Sequence, residues 1–290
     1  MKKAVLLLTL CSMTVCASAG IMIYPKYLSL NDKTKSAEVT LINSSALESS
    51  NYRVTLSYKK QNPDGSYTEV TNEEEIPADS VTKILRYSPR SVMLKPSKSQ
   101  TVRVLKRIPE GLEPGDYVGY ITFTEVLLEK AATKENLDPK AFSVKLTPIP
   151  SFSIPIFVRY KVKGNAPVSL ETKGLVTKEG ITSLNVVMKR QEQAKSKGPR
   201  LVARGDLSVW DGDQMIGYIK GRYMLPATDT LETLIPLYIY NAITNKEGKK
   251  ENKYLTAGEL KGKTLKVLFT QADDDKLQKD KVLAQTEIKL

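Results

Sequence analysis

The sequence predicts an all-β protein made of two β-sandwich domains with a cleft between them. Nearly every run with apolar periodicity is short, rich in β-branched or aromatic residues, and alternating, which is typical of strands. Turn sequences containing proline, glycine, asparagine or aspartate separate these runs. The 290 residues are enough for two domains, each with a core of its own.

Strands are predicted along the first half, with characteristic turns between them. The predicted strands are Ala37–Ile42, Tyr52–Tyr58, Thr101–Leu105 and Tyr117–Val126. A proline and glycine turn, Asn62–Ser66, predicts a hairpin between Tyr58 and Tyr67. The stretch Pro109–Gly115 leads into Asp116 and Tyr117, where a tyrosine hydroxyl is expected to bond back to nearby backbone. This arrangement is called a tyrosine corner, and it indicates an immunoglobulin-like sandwich.

The most informative segment is Ala141–Tyr160, whose even positions from Phe142 to Val158 are large and apolar except for two prolines. Side chains alternate across a strand, so these residues would project from one face. The segment is far longer than the usual five or six residues. This length predicts an edge strand that offers its apolar row to something else.

The second half repeats the class with different sequence. Its predicted strands are Ile181–Lys189, Leu201–Trp210, Met215–Tyr223, Leu231–Tyr240, Lys263–Thr270 and Lys281–Leu290. We place the boundary in the segment 161–167, which gives domains at 20–161 and 162–290. The run Leu127–Leu137 is rich in Glu, Lys and Ala and is open to either a helix or a loop.

The N-terminus predicts export. Lys2 and Lys3 precede an apolar run, and Ala17-Ser18-Ala19 supplies a signal-peptidase pattern, so residues 1–19 are predicted to be a signal peptide. The run is shorter than the ~20 residues of a membrane span, so no stable membrane insertion is expected. Both cysteines lie inside this segment, which leaves a predicted mature chain without thiols.

The charge and the missing residue types limit the function. The formal net charge is +12, but basic and acidic residues are interspersed, which argues against nucleic acid and favours an acidic protein or envelope partner. The chain has no histidine, so nucleophile–histidine catalysis and the usual zinc ligands are excluded. The acidic clusters 73–75 and 273–275 suit solvated turns. We therefore expect no enzyme, no metal site and no cofactor.

A resemblance then appears in the segment Ser88–Val104 (SPRSVMLKPSKSQTVRV), followed by Pro109, Leu112, Gly115-Asp116-Tyr117 and Tyr120–Val126. These motifs resemble the first domain of the periplasmic pilus chaperones of chaperone-usher systems. The segment Lys35–Asn43 similarly resembles that family's second strand. The resemblance covers about Ile21 to Arg159, and the second domain matches only in class and order.

The resemblance implies a periplasmic chaperone that binds pilin-like subunits by strand addition before their assembly at an outer-membrane usher. The subunit-binding donor strand would carry Phe142, Val144, Leu146, Phe152, Ile154 and Ile156, and pairing should pause at Pro148 and Pro150. The alternative is that this row is core of its own domain, above all at Ile154, Ile156 and Val158. Self-association of the free protein could hide an exposed row.

The resemblance also implies a cation anchor for the subunit's terminal carboxylate, at positions that hold Tyr27 and Pro155 in this chain. Lys26 and Arg159 are nearby cleft cations that could substitute. By the same resemblance, Glu125 and Arg159 are expected to form a structural pair near the domain junction. A second functional class stays open: a two-domain envelope or surface binding protein, adhesin-like, that keeps the sandwiches without lending a strand.

Overall fold

The computed structural model describes residues 20–127, 148–191, 197–244, 249–271 and 281–290. The prediction of an all-β protein with two immunoglobulin-like sandwiches is confirmed. None of the helices among these residues has the length and apolar character needed to cross a bilayer. The predicted signal peptide and the run 128–137 lie outside the described residues, and the domain bounds stay predictions.

The first sandwich consists of two facing sheets. Its strands are β1 (Ile21–Tyr24), β2 (Leu28–Leu30), β3 (Ser36–Asn43), β4 (Ser50–Gln61), β5 (Tyr67–Val70), β6 (Leu85–Ser88), β7 (Ser91–Leu94), β8 (Ser99–Lys106), β9 (Gly115–Glu125) and β10 (Ser151–Tyr160). One sheet has the order β1-β3-β8-β6 and the other β2-β10-β9-β4-β5, with β7 paired to β4. The β2–β10 pair is parallel, whereas β9–β10 is antiparallel.

The second sandwich follows the segment 161–167, which lies outside any strand. Its elements are β11 (Val168–Lys178), β12 (Ile181–Arg190), β13 (Ala203–Asp211), β14 (Gln214–Met224), β15 (Thr230–Pro236), β16 (Tyr238–Thr244), β17 (Lys250–Tyr254), helix α1 (Ala257–Leu260), β18 (Thr264–Gln271) and β19 (Val282–Lys289). The sheets are β11-β12-β15 and β14-β13-β18-β19, with a hairpin of β16 and β17.

Each sandwich buries an apolar core between its sheets. In the first, Val39 and Val102 of one sheet belong to the same buried cluster as Ile121 and Phe123 of the other. The second has a separate cluster that includes Leu184, Leu207 and Phe269. Alternation along each strand places these side chains inward, which is why the period-two pattern located the strands.

Several local predictions are confirmed by the hydrogen bonds. The Tyr117 hydroxyl donates to the Glu113 carbonyl at 2.6 Å, which is the predicted tyrosine corner. The hairpin joins β4 to β5, and Gly65 at its turn has φ of +84°, a conformation that favours glycine. The strand predicted at Leu231–Tyr240 is wrong in its extent, because the chain leaves β15 after Pro236 and starts β16 at Tyr238. Several strands were not predicted, namely β1, β2, β6, β7, β11 and β17.

Candidate functional site

The candidate site is the outer edge of β10 and the sheet face beside it. The Glu125 N–H donates to the Pro150 carbonyl at 3.0 Å, one residue before β10 begins. Hydrogen-bonded pairs alternate along an antiparallel ladder, so the backbone groups of Ser151, Ser153 and Pro155 point away from β9. On that outer side β2 pairs only with residues 156–158. Among the described residues, the edge from Ser151 to Pro155 therefore has no paired neighbour.

The side chains of β10 differ in burial along its length. Ile156 and Val158 are fully buried in the first core, and Ile154 is partly buried against it. The prediction of Ile156 as a subunit-binding residue is therefore wrong, since the opposite sheet already covers it, and the contact of Ile154 with the core likewise favours the core interpretation. Phe152 is 37 % exposed, so a partner can contact it.

The two prolines lie just before the start of β10. Residues 148–150 lie outside any strand, and pairing with β9 begins with Ser151 opposite Thr124. A paired stretch before the prolines would fall outside the described residues, so the pause between two paired stretches stays a prediction. Ile149 in the segment 148–150 is 57 % exposed. Phe142, Val144 and Leu146 lie outside the described residues, and their role stays a prediction.

An aromatic cluster with one guanidinium lies at the inner end of this face. Phe157 makes edge contacts with Tyr27 at 6.5 Å and with Tyr223 of the second sandwich at 5.2 Å between ring centroids. Arg204 on β13 lies 4.0 Å above the Tyr27 ring centroid. Its cation is therefore held on the aromatic side of the cleft, beside the position where the family anchor was expected and Tyr27 stands instead.

A second cation lies further along the same face. The Lys59 ammonium donates to the Ser153 hydroxyl at 2.8 Å and lies 5.6 Å from the centroid of Tyr120, which pairs with Pro155. Burial, above all, raises the pKa of Tyr120, so its hydroxyl stays protonated at neutral pH. Lys59 thus brings positive charge next to Pro155, the other position where the family anchor was expected.

The predicted pair of Glu125 and Arg159 is wrong. Arg159 is paired across the ladder with Asp116, and Glu125 lies nine residues further along β9, about 30 Å away at the rise of a strand. Arg159 donates to both oxygens of Asp116, from Nε at 2.8 Å and from Nη2 at 2.7 Å. This bidentate pair occupies the guanidinium that was predicted as a cleft cation. Lys26 is exposed, and its role as a cleft cation stays a prediction.

Asp116 also joins the two sandwiches. Its side chain is only 4 % exposed, and its Oδ2 accepts a hydrogen bond from the Val202 N–H at 2.8 Å. Nearby, the Gln61 side chain accepts from the Leu225 N–H at 2.9 Å and donates to the Tyr223 carbonyl at 3.0 Å. These contacts fix the relative position of the cleft walls through buried polar groups that are satisfied.

A small apolar cluster completes the junction. Tyr58 and Val118 of the first sandwich pack with Val202 and Leu225 of the second, and all four are buried. Sequence reasoning missed Lys59, Arg204 and this cluster, because side chains from distant strands meet here and no local pattern marks them.

Comparisons with known proteins give fold similarities only. No family model matches the chain, and no curated protein matches it. Among solved structures, the YadV chaperone is 14 % identical with a TM-score of 0.42, over 93 % of this chain and 99 % of that one.

The class 5 fimbriae chaperone CfaA is 12 % identical with a TM-score of 0.43, over 93 % and 98 %. The structure of the Salmonella enterica SafA pilin in complex with the SafB chaperone is 9 % identical with a TM-score of 0.42, over 94 % of this chain and 97 % of that one. Many of the similar structures are chaperone-usher fimbrial chaperones, the family that the sequence motifs resemble.

Proposed function

We propose that this protein is a periplasmic chaperone that holds pilin-like subunits by pairing the edge of β10 with an incomplete subunit sandwich. The observation that carries the proposal is the outer edge from Ser151 to Pro155, which no described strand pairs. An unpaired edge beside alternating apolar side chains is the arrangement used in strand addition. Main-chain hydrogen bonds would supply affinity, and the side chains would supply register.

The apolar part of the interaction would lie toward the start of β10. Phe152 and Ile149 are exposed, whereas Ile156 is committed to the core. The row would therefore continue from Phe152 backward to Leu146 and Val144, which we propose as the subunit's plugs. Each plug of that size is worth about 1.5–3 kcal/mol of apolar transfer.

The polar part would lie in the cleft. A guanidinium stacked on aromatic rings keeps its positive charge at the cleft, and that charge attracts a carboxylate. We therefore propose that Arg204, assisted by Lys59, receives the negative charge of the subunit's terminus. These two cations would take the place of the anchor cations that the resemblance implies at positions 27 and 155, where this chain has Tyr27 and Pro155. Delivery of the subunit to an outer-membrane usher is part of the same proposal.

The test blocks the backbone edge without changing the core. A Ser151→Pro, Ser153→Pro variant removes two outward N–H donors, and proline is tolerated where an edge N–H faces solvent. The matched control is Ser151→Ala, Ser153→Ala, which loses the same hydroxyls but keeps both donors. Each is co-expressed in the periplasm with a fimbrial subunit of the incomplete-sandwich type, and soluble subunit is measured.

We expect the alanine variant to protect the subunit and the proline variant to fail, while both keep parental circular dichroism and melting temperature. Equal protection by two folded variants would contradict the β10 edge as the binding element. Val144→Asp with Leu146→Asp tests the plugs separately, and an unfolded product would favour the core interpretation. A folded parent that binds no subunit would favour the adhesin-like alternative.

A further inference from the structure

Two loops of the second sandwich make the hydrogen bonds that join it to the first at Asp116 and Gln61. One loop is the segment 197–202 before β13, and the other is the segment 225–229 between β14 and β15. The Val202 N–H donates to Asp116 at 2.8 Å. The Leu225 N–H donates to Gln61 at 2.9 Å. The position of these loops therefore sets where the second sandwich meets the first.

Arg190, the last residue of β12, binds both loops from within the second sandwich. Its Nη1 donates to the Leu201 carbonyl at 2.8 Å, directly before Val202 in the chain. Its Nη2 donates to the Leu225 carbonyl at 2.8 Å, and its Nε donates to the Thr228 carbonyl at 2.9 Å. One side chain thus joins the two loops at, or next to, the residues that contact the first sandwich.

Backbone pairing stops just short of this point. The ladder of β13 and β14 ends with Ala203 opposite Met224. Beyond that pair, Arg190 bonds to Leu201 on one side and to Leu225 on the other. The guanidinium therefore continues the link between the two segments where the ladder no longer provides it.

This arrangement depends on arginine chemistry. A planar guanidinium carries five N–H donors in fixed directions, so it can satisfy several carbonyls at once. Among the described residues, no carboxylate accepts a hydrogen bond from Arg190, whose acceptors are backbone carbonyls. Burial lowers the pKa of its guanidinium to about 10, so the group remains charged at neutral pH. Burial of a charge gives little net stability, and the arrangement therefore favours a role in ordering the loops.

We propose that Arg190 is a positioning residue of the cleft, which holds Val202 and Leu225 where they meet the first sandwich. Arg204 lies two residues after Val202 on β13, so the same contacts set its distance from β10. The effect on the orientation of the sandwiches is independent of the protein's function. The effect on subunit capture rests on the proposed function.

The test compares Arg190→Lys with Leu265→Ala. The lysine keeps the charge but replaces the planar fork with one ammonium. Leu265 is fully buried in the second core and pairs with Asp211, at the far end of β13 from the junction. Both changes should lower stability, but only Arg190→Lys should loosen the junction. Circular dichroism first establishes that each variant is folded.

Spin labels measure the distance between the sandwiches. They are attached to Ser99→Cys in the first and Glu287→Cys in the second, both exposed positions in a predicted mature chain without other thiols. The parent and Leu265→Ala should each give one narrow distance distribution. Arg190→Lys should give a distribution about twofold wider, because relative motion of domains returns when their interface is loosened.

Hydrogen exchange reports the loops directly. Relative to the amides of β18 in the same variant, the N–H groups of Val202 and Leu225 should exchange about tenfold faster in Arg190→Lys than in the parent. A parental distance distribution or a parental exchange ratio in folded Arg190→Lys would overturn the proposal, as would a broad distribution in the parent. If the lysine variant does not fold, Arg190→Gln takes its place with the same results expected. If neither folds, faster exchange of these two groups than of β18 in the parent would overturn the proposal, and equal protection would support it.

Capture of a fimbrial subunit of the incomplete-sandwich type is measured separately. Arg190→Lys should capture the subunit roughly tenfold less well than Leu265→Ala, a difference of about 1.4 kcal/mol. Equal capture by these two folded variants would overturn the role of Arg190 in binding. A parent that captures no subunit would contradict the proposed function, while the distances and exchange rates would still test whether Arg190 positions the sandwiches.

Discussion

Replacement of Arg159 by alanine should destabilise the junction strongly, because the buried carboxylate of Asp116 would lose its bidentate donor. Asp116 is 4 % exposed on its side chain, whereas Arg159 is 35 % exposed. The substitution would keep the buried carboxylate and remove its bidentate donor, so that among the described residues the Val202 N–H is the hydrogen-bond donor that remains. Breaking a buried pair in this way costs about 3 kcal/mol or more.

The matched control is Lys189→Ala, which breaks the pair of Lys189 with Glu171. Both of those side chains are about half exposed, and such a pair is worth about 0–1 kcal/mol. In urea, Arg159→Ala should lower the unfolding midpoint by about 1 M or more at the usual slopes, and the control should barely move it. Circular dichroism follows both sandwiches, while the single Trp210 on β13 reports the second. Scattering should also show a broader range of shapes for Arg159→Ala. Equal midpoints for the two variants would refute the reasoning.

Three further predictions test other parts of the molecule. Ile156→Ala should lower the free energy of unfolding in urea by about 2–5 kcal/mol, because it opens a cavity in the core. Phe152→Ala should lower it less and mainly weaken subunit capture. Equal stability losses would contradict the assignment of Ile156 to the core and of Phe152 to the contact surface. Burial raises the pKa of Asp79, so the stability it contributes is present below its unfolded pKa of about 3.9 and is lost as pH rises through the folded pKa. Asp79→Asn should therefore melt higher than the parent at pH 7, with a difference that shrinks on acidification; a lower melting temperature at pH 7 would contradict this. Arg204→Gln should weaken subunit capture at least tenfold with little change in melting temperature, and unchanged capture would remove Arg204 from the proposed anchor.

The fold could be predicted because its signals are local. Alternation along β3, β4 and β8 reflects one buried and one more exposed face, and this pattern needs no knowledge of the rest of the chain. Tyr117 was predictable for the same reason, since its hydroxyl partner lies four residues away. Strand β11 was missed because its burial pattern is irregular and a register shift occurs near Gly174.

The site was predicted only in part, because alternation identifies a face but not what covers it. Phe152 and Ile156 stand four residues apart on the same face of β10, and the sequence treats them alike. The structure separates them, because Ile156 lies beside β2 and within the core cluster while Phe152 lies beyond the end of β2. Whether a side chain is core or contact surface thus depends on the length of its neighbours, which belongs to the tertiary structure.

The cations show a stronger form of this dependence. An arginine contributes charge to the cleft when its guanidinium can reach the cleft. For Arg159, the pairing of β10 with β9 determines what the guanidinium reaches. Arg159 is on the expected strand, yet its register opposite Asp116 commits it to a buried pair. Arg204 comes from the other sandwich, and the rings of Tyr27 and Phe157 hold its charge at the cleft. The anchor that we propose thus lies on the second sandwich, whereas the resemblance implies positions on the first, and its distance from β10 depends on how firmly the two sandwiches are joined. Asp116 joins them through the Val202 N–H, so loss of that hydrogen bond should weaken subunit capture as well as stability.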